Sequence, residues 1–413
     1  MKKKVMSLLL VAVMAVSMFA ACGSSNKDDA NNDVADTTVV STEKNEEVAD
    51  SEYSVAMITD YGDITDQSFN QTTYEACKAF CEANGIDFKY YKPAADSTAD
   101  RVASVELAID EGYNVIVMPG YAFGGTIAEV SGEYPDVKFI ALDVAAGDLL
   151  EAGVALKGET YDYNPASWDV NEYVHMDNVY CAVYQEELSG YMAGYAAVKL
   201  GYQKLGFLGG MAVPAVKRFG YGFVQGADAA AAETGASVEI KYAYGNQFYG
   251  DADITAAMDT WYGAGTEVVF ACGGGIFTSA SEAAVKVGGK VIGVDTDQSA
   301  VINGSYGDGL TVTSAMKGLY PTTVDTLTDV IVNGNWANYA GKISTLGLVS
   351  GTDPELNYVQ LPMDTTQWSD TFTQDDYKAL VASMFDGTVK VSNDITAEPA
   401  VTTISVEYLG NLK

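Results

Sequence analysis

Acidic, glycine or lysine residues stand directly after short apolar runs at five places along the chain. Asp60, Asp143 and Asp295 each follow such a run, a fourth run ends in the glycines around Gly274, and a fifth ends at Lys317. Short apolar runs bounded by turn residues are typical of buried β-strands. Ligand sites in open α/β sheets lie at the carboxyl ends of the strands. The five endings therefore predict one shared ligand cleft, lined by carboxylate acceptors and an ammonium donor.

The segment after Asp60 brings an aromatic ring and an amide to the same edge. Asp66-Gln67-Ser68-Phe69-Asn70 opens a predicted helix. Asp66 is interpreted as a helix cap rather than a ligand contact, because aspartate is a preferred capping residue. Phe69 has two interpretations from sequence, an aromatic wall of the cleft or a core residue in the first helical turn.

Composition disfavours several other chemistries. The only histidine is His175, so a histidine-based nucleophile system or a multi-histidine metal site has little to work with. No GxxxxGK[ST] phosphate loop occurs. Carboxylate pairs can hydrolyse glycosides, but nothing here selects one acid–base pair. The formal net charge of −33 argues against a nucleic-acid partner. We expect a protein without enzymatic activity, cofactor or metal.

The amino terminus has the composition of an export signal. Three lysines precede an apolar run, Val5–Ala21, and Cys22 follows small residues. This pattern predicts a lipoprotein signal peptide at 1–21 and lipidation of Cys22. An ordinary signal peptide with a nearby cysteine is the alternative. Residues 22–50 are polar and lack aromatic residues, so the sequence predicts a disordered tether between the lipid anchor and a globular body.

Predicted strands and helices alternate along that body, which is typical of parallel sheets covered by helices. The predicted strands are residues 54–59, 86–91, 114–118, 138–142, 179–184, 204–208, 238–244, 267–272, 290–294 and 310–315. The predicted helices are residues 67–84, 98–111, 124–133, 186–200, 215–234, 251–264, 278–288 and 319–333.

A polar, aromatic-rich segment at 145–178 separates two β–α series, so we expect two lobes. The expected division is an N-terminal lobe at 51–178 with crossover segments near 296–330, a C-terminal lobe at 179–295 with segments after 331, and hinge crossovers and lobe-completing elements within 296–413.

Several ordered blocks resemble the basic membrane protein family. Asp60 with Asp66-x-Ser68-Phe69-Asn70-Gln71 is similar to that family's D…DxSFNQ signature. Further blocks follow in the family's order at Gln185–Gly194, Leu205–Gly210, Gly293–Gln298 and Thr313–Lys317. The resemblance covers roughly residues 54–335, whereas the 145–178 segment and the C-terminal region depart from the family pattern. It implies an α/β type I periplasmic-binding-protein fold, with two doubly wound parallel-sheet lobes joined by a hinge.

The resemblance also implies roles for the cleft residues. Phe69 and a second-lobe aromatic, Phe248, are expected to sandwich a flat base, with Phe219 and Tyr249 as rivals to Phe248. Gly274 fits a backbone-lined ligand contact or simply a tight turn.

The polar residues of the cleft are expected to contact either the base or the sugar of the ligand. Asp60, Asn70 and Asp143 are expected to meet ring nitrogens and sugar hydroxyls. Asp295 is expected to accept from two ribose hydroxyls, and Lys317 to donate to a ribose oxygen.

The resemblance implies a bacterial lipoprotein, anchored extracytoplasmically, that captures nucleosides, with purine nucleosides the expected class, and delivers them to an ABC permease. The alternative is a sugar- or autoinducer-binding receptor or sensor of the same fold, because a fold does not specify its ligand. An exported enzyme acting on nucleosides or sugars would need a catalytic base and would turn its ligand over.

Overall fold

The computed structural model describes residues 52–413, so the predicted signal peptide, Cys22 and the tether lie outside the described residues. The β-strands are β1 Val55–Ile58, β2 Phe88–Tyr91, β3 Val115–Pro119, β4 Lys138–Leu142, β5 Val179–Tyr184, β6 Lys204–Gly209, β7 Glu239–Tyr244, β8 Val268–Cys272, β9 Lys290–Asp295, β10 Thr311–Lys317, β11 Lys342–Leu346, β12 Val359–Gln360 and β13 Ser405–Asn411.

Helices fill most of the intervals between these strands. The α-helices are α1 Phe69–Asn84, α2 Thr98–Asp110, α3 Phe123–Val130, α4 Ala146–Leu156, α5 Val170–Tyr173, α6 Glu186–Lys199, α7 Pro214–Thr234, α8 Ala252–Gly263, α9 Phe277–Ala284, α10 Ser299–Tyr306, α11 Leu319–Leu327 and α12 Gln374–Phe385. Short 3₁₀ helices cover Pro165–Ser167, Trp336–Asn338 and Pro354–Leu356, and a π-helical turn, Thr328–Val332, continues α11.

The strands of the described region form two sheets. The first has the order β11-β5-β4-β3-β1-β2 and the second the order β12-β10-β9-β8-β6-β7-β13. All neighbouring strands are parallel except the β10–β12 pair, which is antiparallel. In each sheet the strand order reverses beside the first strand of a series, β1 or β6, and such a reversal is where α/β sheets form ligand crevices.

Each sheet is buried on both faces, which confirms the predicted doubly wound architecture. In β1, Val55 and Met57 belong to one core cluster while Ala56 and Ile58 belong to another. The second sheet is likewise covered by a cluster on each face, which explains why its central strand β8 is a continuous apolar run. We call the first sheet with its covering helices the first lobe, and the second sheet with its helices the second lobe.

The structure corrects the expected boundary between the lobes at 178 and 179. β5 pairs in parallel with β4 and completes the first sheet, and the second sheet begins only at β6. The sequence of a single apolar strand does not indicate which sheet the strand will join, because its pairing depends on strands that are distant in sequence.

The chain passes between the two sheets more than once. It leaves the first sheet after β5, returns through α11, which packs on α1, and adds β11 to the first sheet before β12 and β13 complete the second. The expected assignment of segments after 331 to the second lobe is therefore wrong for β11. The 145–178 segment, in which no helix was predicted, contains α4 and α5.

Candidate functional site

A cavity of about 400 Å³ lies between the carboxyl ends of the two sets of strands. Its volume is within the usual range for small-molecule sites. All eight residues predicted to bind a ligand line it: Asp60, Phe69, Asn70, Asp143, Phe248, Gly274, Asp295 and Lys317. They come from both lobes. The ends of the strands therefore meet at one cavity, as the sequence predicted.

The loop after β1 holds Asp60 against the first turn of α1. Asp60 Oδ1 accepts hydrogen bonds from the backbone N–H of Tyr61 at 2.6 Å and of Gly62 at 2.7 Å, and from Asn70 Nδ2 at 3.2 Å. Burial raises the pKa of Asp60, although these hydrogen bonds oppose the shift. The buried Asn70 Oδ1 has no partner among the described residues, so it is available to a ligand.

Asp66 caps α1, as its sequence position predicts. Its carboxylate accepts from the backbone N–H of Ser68, Asn70 and Gln71 at 2.9–3.0 Å. It also accepts from Asn70 Nδ2 at 3.0 Å, which fixes the amide that faces the cavity. Asp66 therefore satisfies the exposed donors of the helix start and orients Asn70.

Lys317 lies at the centre of a buried cluster of carboxylates. Its Nζ donates a hydrogen bond to Asp143 and lies 3.6 Å from Asp295 Oδ1 and 3.7 Å from Glu186 Oε1. It is also 4.7 Å from the centre of the Phe69 ring. These carboxylates raise the pKa of Lys317 despite its burial, so it stays an ammonium group.

Two further carboxyl groups at the cavity, Asp143 and Asp148, also have raised pKa values. Burial raises the pKa of Asp143 to about 6, with the Lys317 ammonium opposing this shift. Burial raises the pKa of Asp148, on α4, to about 7. The buried Asp143 Oδ1 has no hydrogen-bond partner in the described region and remains available as an acceptor.

The two predicted aromatic residues reach the cavity from opposite lobes. Phe69 and Phe248 are both half-buried. The Phe248 ring lies 6.4 Å from the Tyr61 ring, across the opening between the lobes. Of the two rival aromatics, Phe219 is buried in the core with one face at the cavity, whereas Tyr249 is mostly exposed at its edge.

Gly274 supports Phe248 through a close backbone approach. A Cβ atom at position 274 would lie 2.7 Å from the Phe248 carbonyl oxygen, and Gly274 has a left-handed φ of 52°. The next residue, Gly275, donates its N–H to the same carbonyl at 2.9 Å. The glycine run is therefore required by packing around Phe248.

Sequence reasoning did not assign Glu186 and Arg218 to this site. Arg218, on α7, lines the cavity, and its Nε donates to Glu186 Oε2 at 2.6 Å. Glu186 is fully buried in the first turn of α6. Glu186 is the first glutamate of the Gln185–Gly194 block. That position was the only feature of the sequence that could have indicated a role for Glu186 at the site.

No group of three or more His, Cys, Asp or Glu residues suited to holding a metal ion occurs within residues 52–413. In the same range, no helix combines the length and the apolar character needed to cross a bilayer.

Two α/β lobes with a polar, aromatic-walled cavity between their strand ends define a periplasmic-binding-protein type of fold. Residues 53–352 match the Bmp family, described as ABC transporter substrate-binding protein PnrA-like. The match covers most of the chain, so this protein belongs to that family and is a substrate-binding protein of an ABC transporter.

Relatives agree with this assignment. The chain is 25% identical over 311 residues to the ABC transporter nucleoside-binding protein BmpA of Lactococcus lactis, covering 72% of this chain and 75% of that protein. It is 24% identical over 357 residues to an uncharacterised lipoprotein of Pyrococcus abyssi, covering 84% and 76% respectively. Its fold is similar to that of an ABC transporter solute-binding protein from Conexibacter woesei, with a TM-score of 0.58, 21% identity and coverage of 83% and 99%.

Proposed function

We propose that this protein captures nucleosides, purine nucleosides being the expected class, and releases them unchanged to an ABC permease. The observation that carries the proposal is that Phe69 of the first lobe and Phe248 of the second line one cavity that also holds Asp60, Asp295 and Lys317. Aromatic side chains stack on flat bases and contribute about 1–3 kcal/mol per base. A nucleoside has a flat base and a polar sugar, which match the aromatic residues and the charged residues of this cavity.

The polar groups suit a neutral ligand rich in hydroxyl and N–H groups. Asn70 Oδ1 and Asp143 Oδ1 are buried without partners in the described chain, and a ligand would supply the missing donors. Asp295 Oδ2 accepts from Ser68 Oγ at 2.6 Å, so we expect Oδ1, which lies 3.6 Å from Lys317 Nζ, to be the oxygen that accepts from the ligand.

A phosphorylated nucleoside is a poorer match. Lys317 is already paired with Asp143, and Arg218 with Glu186, so neither cation is free to neutralise a phosphate. The carboxylates around them would repel it. This charge arrangement, together with the nucleoside binding stated in the name of the Lactococcus relative, supports a nucleoside over a nucleotide.

We place the protein outside the cytoplasm, held to the cell membrane by a lipid on Cys22. The support is the basic and apolar leader before Cys22, and a relative that is itself named a lipoprotein. The acidic, aromatic-free residues 23–50 would let the body reach a membrane permease.

Calorimetry on residues 51–413 tests the ligand. The protein is unfolded and refolded to remove any co-purified ligand, then titrated with nucleosides, free bases and sugars. We expect one-to-one nucleoside binding, with the nucleoside recovered intact. Binding of a sugar and no nucleoside would overturn the proposed ligand and favour a sugar-binding receptor of the same fold. Conversion of the nucleoside to another product would indicate an enzyme.

A further inference from the structure

Two uncharged residues from the signature blocks join the lobes beside the cavity without lining it. Ser68 precedes α1 in the first lobe, and Gln298 precedes α10 in the second lobe. Both have an exposed fraction of 0%. Neither is among the residues that line the cavity.

Ser68 donates its hydroxyl hydrogen across the interface. Ser68 Oγ lies 2.6 Å from Asp295 Oδ2, which belongs to the end of β9. A serine at a helix N-cap ordinarily accepts from the helix's own N–H groups. Here the carboxylate of Asp66 accepts from those groups instead. The Ser68 hydroxyl is therefore free to bond the opposite lobe.

Gln298 makes the second bond of the pair. Its Nε2 donates to the Gln67 carbonyl oxygen at 3.1 Å, and its Oε1 accepts from the Val294 N–H at 2.9 Å. Its own N–H donates to Ser314 Oγ at 3.1 Å, which fixes the residue on the second sheet. Gln67 has a left-handed φ of 57°, uncommon for a residue other than glycine, and this conformation presents its carbonyl to Gln298.

We infer that Ser68 and Gln298 act as a clasp that holds the lobes closed over the ligand, with Ser68 also fixing the orientation of Asp295. The two bonds connect consecutive residues of the first lobe, Gln67 and Ser68, to one loop of the second. They exist only when the lobes are together, so they favour the closed state over the open one. This inference rests on the proposed function for its ligand but not for its interface contacts.

The clasp predicts a kinetic effect rather than a change in ligand preference. Gln298 does not line the cavity, so its replacement should change affinity through the population of the closed state, whereas Ser68→Ala should also act through the orientation of Asp295. Loss of one hydrogen bond should raise the nucleoside dissociation rate by about 10-fold, the equivalent of a typical single bond, with little change in association rate. The order of preference among nucleosides should stay the same.

Gln298→Met is the main test, because methionine keeps the length of the side chain and removes both its donor and its acceptor. Gln367→Met is the matched control, since Gln367 Nε2 donates to the carbonyls of Gly309 and Thr311 at 2.8 Å within the second lobe. Ser68→Ala is compared with Thr73→Ala, which removes a buried hydroxyl bonded only to the Phe69 carbonyl in α1.

Stopped-flow dissociation and small-angle scattering are measured on all four variants, with denaturant unfolding as a check of folding. Faster dissociation for Gln298→Met and Ser68→Ala than for their controls supports the clasp. Rates equal to those of the controls overturn it.

If the wild-type protein binds no nucleoside, the proposed function fails, and small-angle scattering then tests whether the clasp exists. A larger radius of gyration in the two test variants supports it, and values equal to the controls overturn it.

Discussion

Lys317, at the end of β10 in the second lobe, donates a hydrogen bond to Asp143, at the end of β4 in the first. Both side chains are buried, and the same ammonium group lies 3.6 Å from Asp295 Oδ1. The contact therefore joins the two lobes at the floor of the cavity. It places Lys317, the only lysine among the described residues that line the cavity, between carboxylates that would otherwise repel one another.

Replacing Lys317 with methionine should abolish nucleoside binding and lower the free energy of unfolding by about 3–5 kcal/mol, because buried carboxylates lose their partner. Lys286→Met is the control. Its exposed pair with Asp259, at 2.7 Å, should contribute less than about 1 kcal/mol. Calorimetry and urea unfolding measure both effects. Equal unfolding free energies for the two variants would contradict the central role of Lys317.

Asp295→Asn should abolish nucleoside binding and leave the fold intact. Asparagine keeps the size of the side chain and tolerates the φ of 66° at this position. Asp295→Ala should also lose binding, with an added destabilisation of about 1 kcal/mol from the left-handed backbone. Asp297→Asn is the control, because Asp297 bonds Ser299 and Thr365 and does not line the cavity. Wild-type affinity in Asp295→Asn would exclude Asp295 from the site.

Phe69→Ala and Phe248→Ala should each weaken nucleoside binding by about 1–3 kcal/mol through loss of base stacking. Free ribose, which has no flat base, should be affected little. Phe385→Ala, a change at a half-exposed ring outside the cavity, serves as the control for refolding. Titration calorimetry with a nucleoside and with ribose separates the two effects. An equal loss for both ligands would show that the rings act by shaping the cavity rather than by stacking.

Stability should rise as pH falls from 8 to 5. Burial raises the pKa of Glu187 and of Asp148 to about 7, and that of Asp143 to about 6. The folded state thus binds protons that the unfolded state releases, and this contribution is lost as pH rises through the folded pKa values.

Glu187→Gln tests the origin of this pH dependence. It should raise the free energy of unfolding at pH 8 by about 1–3 kcal/mol and make the pH profile less steep, because the buried group at position 187 then no longer ionises. Urea unfolding at several pH values measures this effect, and Asp308→Asn, at an exposed position, is the control. An unchanged profile in Glu187→Gln would contradict the assignment.

Cys22→Ser should release the protein from the membrane fraction, because serine cannot form the thioether that carries the lipid. Incorporation of labelled fatty acid and fractionation of cells measure this, with Ser24→Ala as the control. Membrane retention of the Cys22→Ser protein would instead point to an uncleaved apolar leader as the anchor.

The sequence predicted the strands through β10 closely, because most of them are buried apolar runs that end at a turn residue, although β2 is largely exposed. It missed β11 and β13, whose residues are mostly part-exposed or exposed, so neither has a continuous apolar signal. It missed α4, which lies in the polar, aromatic-rich segment at 145–178. Gly153 of this helix is required by packing, since a Cβ there would lie 2.9 Å from Val174.

Asp60, Asp143, Asp295 and Lys317 could be predicted to meet, because strand ends converge in a parallel sheet whatever the strand order. Glu186 and Arg218 lie on helices and were missed. The clasp could not be predicted from the sequence. Ser68 and Gln298 carry no charge, and their partners are 227 and 231 residues away in sequence. Only the assembled lobes show which uncharged groups face each other.

The late return of the chain to its first sheet has a consequence for synthesis. β5 is paired on its outer side by β11, so the nascent amino-terminal half leaves the edge of β5, a mostly buried strand, uncovered until residues 342–346 are available to pair with it. An uncovered buried strand is a template for pairing with other chains. Chains that terminate before residue 342 would therefore be prone to aggregate or be degraded, which makes completion of the polypeptide a condition for a stable amino-terminal half.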